Sequence, residues 1–272
     1  LDLCCCRQGC QIFGIQPEPR ILNRSTLKME KEENVVEQNE FYTAAAKYWE
    51  HIPPTVDGML GGFGFISQTD VKGSTIFLKA LFESNSPPSR TFALDCGAGI
   101  GRITKNLLLN HFKHVDLVEQ NTKFLEVAKT CLRNYSARIG SYYSIGLQNF
   151  CFTTKKYDVI WCQWVLGHLK DDHLIEFLRN SLRPNGLIVI KENVTSSRNL
   201  EVDAKDSSVT RPLCEYYRIF KESNLICIKE EQQHKFPRGL YPVYMFALKP
   251  KRVVRPLKKP RKHDLQNLHK FG

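Results

Sequence analysis

Three glycines alternate with other residues between positions 97 and 101, after an apolar run and before a segment with helical periodicity. Glycines at a strand-to-helix turn let the backbone approach a ligand closely, and the first amides of the helix are free to bind it. The next apolar run ends at Glu119, where a doubly wound fold places an acid that binds ribose hydroxyls. These residues predict a nucleotide-containing ligand, although a tight turn without a ligand would use the same glycines.

The spacing of Gly97, Gly99 and Gly101 narrows the choice of ligand. A dinucleotide fingerprint would read G-x-G-x-x-G, and a P-loop would require a lysine followed by serine or threonine, which this segment lacks. With Asp95 two residues before the first glycine, the segment reads D-x-G-x-G-x-G. It resembles motif I of class I S-adenosylmethionine-dependent methyltransferases, which implies S-adenosyl-L-methionine as the cofactor.

The net charge of +11 is concentrated at the end of the chain. Residues 249–272 contain nine lysines and arginines and one acidic residue, which gives +8 and leaves +3 for all preceding residues. A nearly neutral body does not favour nucleic acid as its partner. The basic tail predicts a nuclear-import signal for an importin, a loose nucleic-acid contact or a solvated extension. Because no run of about 18 apolar residues exists, we expect no transmembrane helix and no membrane partner.

The ten cysteines show no ligand pattern. Four of them crowd the first ten residues, and the others are scattered without a C-x-x-C pair or a histidine at zinc spacing. We therefore expect free, buried thiols and no metal site.

Short apolar runs alternate with amphipathic segments from residue 91 onward. This alternation predicts βαβ units with a parallel sheet that is buried on both faces. The predicted strands are Phe92–Asp95, His114–Glu119, Tyr157–Gln163 and Leu187–Lys191, followed by an edge pair at Ile226–Glu231 and Tyr241–Leu248. The predicted helices between the strands are Arg102–Asn110, Thr122–Tyr135 and Asp171–Leu182.

The part before the sheet is predicted to contain two helices, Asn39–Glu50 and Asp70–Glu83. Between them, residues 55–64 contain four glycines and are expected to form a lid or cradle rather than a helix or strand. The predicted organisation is a disordered segment at residues 1–38, a domain at 39–249 and a disordered basic tail at 250–272.

Longer motifs narrow the resemblance to one family. They are Tyr48-Trp49, Ile52 to Gly62, Leu94 to Lys105, Gly146-Leu147-Gln148, Gln163 to Leu169, Arg183 to Gly186, Lys191-Glu192-Asn193 and Asp206 to Val209. In this order they resemble the eukaryotic alpha-N-terminal protein methyltransferases, which modify exposed N-termini beginning Xaa-Pro-Lys. The resemblance covers about residues 39–249. It implies an α/β fold with a doubly wound, mostly parallel seven-stranded sheet and an N-terminal helical extension.

The resemblance also assigns the cofactor-binding residues. Gly97 and Arg102 correspond to residues at the carboxylate end of the methionine, and Glu119 corresponds to the ribose-binding acid. The others are Leu147 and Gln148 at the adenine and Gln163 at the end of the fourth predicted strand. An arginine in the first helical turn suits this role because its guanidinium can bind a carboxylate with two parallel hydrogen bonds.

Three polar residues match the family's catalytic positions. An α-amine has a pKa of about 8, so it is mostly protonated at neutral pH and must lose its proton before it can attack a methyl group. Asp206 and His168 match the proposed base pair, and Asn193 is expected to hold the amine through its side-chain oxygen. From sequence alone, His168 could equally be a histidine with its hydrogen bonds satisfied at a strand end.

The family's substrate residues would form a peptide channel. The apolar ring of Trp164 offers a flat face to a proline at position two, although such a residue is more often part of a core. Carboxylates would surround a lysine at position three. The channel residues are Tyr48, Trp49, Trp164, Asp203, Ser208 and Tyr241, with Asp206 also at the lysine.

Two departures from the family pattern leave other functions open. The chain is about three residues shorter near residues 179–182, and it has an apparent one-residue insertion between Asn193 and Asp203. A catalytically weak adaptor that binds N-terminal peptides is one alternative. A nucleic-acid methyltransferase is another, but its usual Asn/Asp-Pro-Pro-aromatic motif is replaced by residues 163–166. The family is largely nuclear, so we expect the nucleus, and also the cytoplasm, as the location.

Overall fold

The structure is a computed structural model that describes residue 37 and residues 39–152, 156–181 and 185–251. The chain divides into two units, residues 1–40 and 41–272. In the first unit only Glu37, Asn39 and Glu40 are described, and all three are helical. The predicted disordered segment 1–38 and most of the predicted tail 250–272 lie outside the described residues and remain predictions. Among the described residues, no helix is long and apolar enough to span a bilayer.

The described part of the second unit contains one large sheet and a small hairpin. The strands of the large sheet are β1 (Phe92–Cys96), β2 (His114–Val118), β3 (Ile139–Tyr143), β4 (Val159–Gln163), β5 (Leu187–Asn193), β8 (Leu225–Gln232) and β9 (Val243–Pro250). Their order across the sheet is β3-β2-β1-β4-β5-β9-β8. Neighbours among β1 to β5 are parallel, while β9 is antiparallel to both β5 and β8. The small hairpin consists of β6 (Glu201–Asp203) and β7 (Ser208–Thr210). The predicted α/β class with a mostly parallel seven-stranded sheet is confirmed.

Helices cover both faces of this sheet and precede it. They are α1 (residues 39–50), α2 (Val56–Met59), α3 (Ser67–Phe82), α4 (Arg102–Asn106), α5 (Thr122–Cys131), α6 (Asp171–Ser181) and α7 (Leu213–Glu222). α4 and α5 are shorter than predicted, and each leads into a 3-10 turn, Leu108–Asn110 or Arg133–Arg138. After α4 the reason is burial: residues 107–109 are consecutive buried leucines, and one stripe of a regular helix cannot bury three in a row.

Four elements were not predicted, and one expectation was wrong. β3, α7 and the hairpin β6–β7 are absent from the expected elements. The stretch 55–64 was expected to avoid helix, but it contains α2, whose start is capped by the Thr55 hydroxyl accepting from the Gly58 amide at 3.0 Å.

Both faces of the sheet are buried, which explains why its central strands are apolar throughout. Leu94 and Ile160 pack into one core layer, and the adjacent Ala93 and Trp161 pack into the other. Parallel strands β1, β2, β4 and β5 end at the same edge, so the residues that follow them meet there. That edge carries the candidate site.

The free thiols are only partly as expected. Of the six cysteines in the described residues, all are free, but just Cys96 and Cys162 are buried. Cys131, Cys151 and Cys214 are exposed because they lie on helices and loops outside the two core layers.

Candidate active site

The glycine loop after β1 has a backbone that only glycine adopts easily. The φ angles of Gly97, Gly99 and Gly101 are +67°, +52° and +78°. A Cβ atom on Gly97 would lie 2.5 Å from a methyl group of Val165, so the loop is also too crowded there for any side chain. The loop therefore forms a narrow backbone cradle that leads into α4.

A cavity of about 970 Å³, open at its mouth, lies against this cradle. All six residues predicted to bind the cofactor line it, namely Gly97, Arg102, Glu119, Leu147, Gln148 and Gln163. α1 contributes Tyr42, Ala45 and Trp49, which are spaced to lie on one side of a helix. The structure thus brings the predicted cofactor residues together and adds a helical wall.

Two backbone amides hold the Glu119 carboxylate on the wall of the cavity. Its Oε2 accepts from the Gly99 amide at 3.0 Å, and its Oε1 accepts from the Asn121 amide at 2.8 Å. Burial raises the pKa of the Glu119 carboxyl, whereas these amide donors favour its charged form. A carboxylate fixed in this way can still accept hydroxyl protons on its remaining lone pairs.

The side chain of Arg102 is buried and paired with Asp70 from α3. Nη1 of Arg102 lies 2.6 Å from Oδ2 of Asp70. Gln163 bonds to the same carboxylate, donating from Nε2 to Oδ1 at 2.8 Å. The amide group of Gln163 is therefore committed to Asp70, with its oxygen accepting from Trp161, even though the residue lines the cavity. Asp70 was not singled out from sequence.

A second cavity, of about 1340 Å³ and open to solvent, adjoins the first. Trp49, Met59, Trp164 and His168 line both, so they form the boundary between them. The second cavity is also lined by the predicted residues Asn193, Asp203, Asp206, Ser208 and Tyr241. Tyr48 is the exception among the predicted residues: it lines neither cavity and packs edge-on against Trp49, with ring centroids 5.5 Å apart.

His168 has a defined protonation pattern. Its Nε2 accepts a hydrogen bond from the indole Nε1 of Trp49 at 3.0 Å, so this nitrogen carries no proton. Its Nδ1 lies 3.3 Å from the carbonyl oxygen of Ser207, to which it can donate. Burial lowers the pKa of His168, and the nearby Asp206 opposes that shift. The imidazole is thus neutral, with its proton on Nδ1.

Asp206 supplies an unsatisfied acceptor beside this histidine. Among the described residues, its Oδ1 is buried and has no hydrogen-bond partner. A buried carboxylate oxygen without a donor is costly in a protein interior. The next residue, Ser207, has a φ of +55°, which is unusual for a residue other than glycine. The hairpin turn therefore holds an acceptor that a donor from the second cavity would satisfy.

Acidic residues also line the outer part of this cavity. Asp203 is exposed and accepts from the Lys205 amide at 2.8 Å, which fixes the turn of the hairpin. Tyr241 donates to Oε2 of Glu201 at 2.5 Å, and this hydrogen bond raises the pKa of the Tyr241 phenol. The resulting notch is anionic and suits a cationic group.

Glu192 positions the segment that carries Trp164 and His168. Its Oε1 accepts from the amides of Val165 and Leu166, both at 2.8 Å. Trp164 itself has a φ of +53°, a strained value that the surrounding hydrogen bonds maintain. Burial raises the pKa of Glu192 to about 7. The motif around Glu192 was noted from sequence, but its role in holding this segment was not.

The residues present fit a bound S-adenosylmethionine. The glycine cradle allows close approach, Arg102 offers a cation and Glu119 a fixed carboxylate, all on the wall of one cavity. The second cavity holds a neutral histidine and an unsatisfied carboxylate oxygen. Chemically, this arrangement can place a methyl donor beside an amine and accept the proton of that amine.

Comparison with known proteins agrees with this geometry. A sequence model of the family described as AdoMet dependent proline di-methyltransferase matches residues 37–249. N-terminal Xaa-Pro-Lys N-methyltransferase 1 from Danio rerio is 50% identical over 219 residues, which cover 79% of this chain and 98% of the relative. The protein of the same name from Homo sapiens is 48% identical over 221 residues, covering 80% and 99%.

A solved structure shows the same architecture. A SAM-dependent methyltransferase from Leishmania major superimposes with a TM-score of 0.72 at 37% identity, covering 77% of this chain and 83% of that one. The cofactor predicted from the glycine loop is therefore confirmed as S-adenosylmethionine. On its sequence, its fold and the match over most of its length, the chain belongs to the family of AdoMet-dependent proline di-methyltransferases.

Proposed function

We propose that this protein transfers a methyl group from S-adenosylmethionine to the α-amine of polypeptides that begin Xaa-Pro-Lys. The observation that carries the proposal is the shared boundary of the two cavities, where Trp49, Trp164 and His168 separate the glycine cradle from an acidic channel. The relatives from Danio rerio and Homo sapiens carry Xaa-Pro-Lys N-methyltransferase in their names, which supports this substrate class.

Cofactor residues on the first cavity would hold the two ends of S-adenosylmethionine. Arg102 would bind the carboxylate, Glu119 the ribose hydroxyls, and Leu147 with Gln148 the adenine. When bound, the cofactor supplies a methyl group on a positively charged sulfur, which an uncharged amine can attack. α1 and the glycine loop would exclude water from that sulfur, with Trp49 closing the side toward the second cavity.

The amine would lose its proton next to Asp206 and His168, which lie beside each other on the second cavity. Asp206 has the buried oxygen without a donor, whereas both nitrogens of His168 already have partners. We therefore assign proton acceptance to Asp206 and assign His168, as a neutral imidazole, to holding the wall beside it. Asn193, at the end of β5 and on the same cavity, would accept a hydrogen bond from the amine through its side-chain oxygen.

The remaining channel residues would recognise the first three residues of the substrate. Trp164 would offer its ring to the proline at position two. Asp203, Asp206 and Ser208 would surround the ammonium group of the lysine at position three, and Tyr241 would border the same channel. Tyr48 would act through the Trp49 ring that it touches.

Intact-mass spectrometry tests this function. A short Xaa-Pro-Lys peptide and its N-acetylated twin are incubated with the protein and S-adenosylmethionine. We expect mass gains in steps of about 14 Da on the free peptide alone, because acetylation removes the nucleophilic lone pair of the amine. Gains on both peptides would move the site to the lysine side chain. Peptide binding without any gain would instead support the adaptor function.

We also propose that the protein acts in the nucleus as well as the cytoplasm. The support is the basic sequence near the end of the chain, with clusters at Lys249–Arg252 and Lys258–Lys262 that suit an importin. Arg252 and the whole second cluster lie outside the described residues.

A further inference from the structure

Asp70 lies at the centre of a buried polar cluster behind the cofactor cavity. The residue is fully buried, and its carboxylate is bound by three side chains from other elements. Arg102 of α4 reaches Oδ2 at 2.6 Å, while Gln163 of β4 and Lys191 of β5 reach Oδ1 at 2.8 Å and 2.5 Å. One carboxylate from α3 thus ties together the helix that follows the glycine loop and two central strands.

The cluster contains more positive than negative charge. Lys191 is fully buried, and its other partners are neutral, the Ser74 hydroxyl at 3.0 Å and the Gln233 side-chain oxygen at 2.7 Å. The carboxyl of Asp95, which also interacts with Arg102, instead accepts from the Thr104 hydroxyl, and burial raises its pKa to about 7. Two cations therefore share the Asp70 carboxylate, and an anionic ligand group would balance the excess charge.

The geometry of Arg102 shows where that anion would bind. Within the described part of the chain, only Nη1 of its guanidinium has hydrogen-bond partners, Asp70 at 2.6 Å and the Ser67 hydroxyl at 3.3 Å. The residue also lines the cofactor cavity, and its guanidinium carbon lies 5.7 Å from the centre of the Trp164 ring. Because the guanidinium is planar and rigid, fixing one nitrogen fixes the direction of the remaining N–H groups.

We propose that Asp70 is a positioning residue that orients Arg102 toward the carboxylate of the cofactor. The proposal rests on the proposed function in one respect, the contact between Arg102 and the methionine carboxylate. It makes the preference of the protein for a carboxylate-bearing ligand depend on Asp70, a residue that does not itself face the cavity. Lys191 holds the other carboxylate oxygen, Oδ1, at 2.5 Å and so leaves Oδ2 to Arg102.

Binding measurements with two ligands separate positioning from charge. S-adenosylhomocysteine and its decarboxylated form differ only in the carboxylate, and the ratio of their Kd values measures the preference for that group. In Asp70→Asn, we expect this ratio to fall about tenfold while the Kd of the decarboxylated ligand stays within about twofold. Electrostatics alone predicts the opposite, because the substitution makes the cluster more positive and should attract the carboxylate more strongly.

Asp116→Asn is the matched control, since Asp116 is a buried, ion-paired aspartate on β2 that does not line the cavity. It should leave the ratio unchanged. If Asp70→Asn does not fold, Arg102→Lys replaces it. The lysine keeps the charge but has a single nitrogen, so it lacks the planar fork in which one nitrogen pairs with Asp70 while another faces the cavity, and the ratio should again fall. An unchanged ratio in the variant measured, or no preference for the carboxylate in the wild type, would overturn the proposal. The peptide assay reports on the proposed function separately.

Discussion

The hydrogen bond from Trp49 to His168 sets the state of the histidine at the boundary of the two cavities. Only a neutral imidazole can accept at Nε2, so this bond favours the neutral form. Burial lowers the pKa of His168 in the folded protein. The stabilisation that depends on neutral His168 is therefore present above its ordinary pKa and is lost as the pH falls through the lowered value.

Trp49→Phe should raise the pKa of His168. The phenyl ring retains most of the apolar contact but donates no hydrogen bond, so the protonated form becomes easier to reach. An NMR titration of the imidazole nitrogens measures this shift. Tyr48→Phe is the control, because Tyr48 touches Trp49 but does not line the cavities. A His168 pKa that is the same in Trp49→Phe and the wild type would contradict the assignment of the neutral tautomer.

The location of a site residue could be predicted from sequence where a family motif contains that residue. Glu119 and Arg102 are examples: both line the cavity, and their roles toward the cofactor stay predictions. The pairing of Asp70 with Lys191 could not be predicted, because the two residues are 121 positions apart and no sequence spacing indicates an ion pair between them. Tyr48 shows the converse: its motif was recognised, but the side chain beside it, Trp49, is the one on the cavity wall.

At the scale of elements, the end of β5 holds the loop after β4. Glu192 of β5 accepts from two amides of that loop, and both bonds go to a single oxygen, Oε1. Burial raises its pKa from the ordinary value of 4.5 to about 7. A carboxyl with a raised folded pKa binds more protons in the folded state, so its contribution to stability falls as the pH rises from about 4.5 to about 7.

Glu192→Gln should remove this pH dependence while keeping the loop in place. The amide oxygen of glutamine can accept the same two hydrogen bonds but cannot ionise. As the pH rises from about 5 to about 7.5, the unfolding free energy of the variant should increase relative to that of the wild type by on the order of 2 kcal/mol. Urea unfolding at both pH values measures this. If the unfolding free energies of the variant and the wild type differ by the same amount at both pH values, Glu192 does not titrate in this range.

The glycine loop should tolerate substitution unequally. Gly97→Ala places a methyl group 2.5 Å from a methyl carbon of the branched Val165 side chain, whereas Gly99→Ala places one 2.7 Å from the sulfur of the flexible Met59 side chain. Both positions have positive φ angles, so backbone strain of about 1–2 kcal/mol is common to them. We expect Gly97→Ala to cost about 1–3 kcal/mol more than Gly99→Ala in unfolding without ligand. Equal losses would mean that the Val165 contact relaxes freely.

Strand β3 and the hairpin β6–β7 were not predicted for the same physical reason: they bury few apolar side chains. β3 is only partly buried along its length, so its sequence has few apolar residues to mark it as a strand. The hairpin β6–β7 has three residues in each strand and almost no buried side chains. α7 is different: Tyr216, Ile219 and Phe220 are buried at helical spacing, and Pro212 precedes the first turn, so its periodicity could have been recognised.

At the scale of the whole molecule, the sheet order and the cofactor edge follow from alternation of strands and helices. Right-handed connections between parallel strands leave few arrangements for such a chain. The central strands could be predicted to within two residues at their ends because each is a mostly apolar run that is buried on both faces. The substrate side was harder to predict from residues alone, because its walls come from α1, α2, the loop after β4 and the hairpin. These segments span distant parts of the sequence and come together only in the complete fold.

The basic tail should affect location rather than chemistry. A fluorescent fusion lacking residues 252–272 is expected to lose its nuclear accumulation, since the second basic cluster is removed. The purified truncated protein should methylate the test peptide within about twofold of the full chain, because the family match ends at residue 249. Neutral substitutions of the basic residues at 258–262 in the full chain separate the effect of their charge from the effect of removing the tail. Nuclear accumulation that survives both changes would refute the import signal.

The pH dependence of methyl transfer by Asp206→Asn tests whether Asp206 accepts the amine proton. A single turnover with saturating peptide and cofactor separates chemistry from substrate binding. Near pH 7 we expect a loss of about 100-fold or more, because an amide cannot accept the amine proton. The loss should shrink as the pH rises above about 8, where the α-amine is already neutral. A wild-type rate at pH 7, or a loss of equal size at every pH, would contradict Asp206 as the proton acceptor.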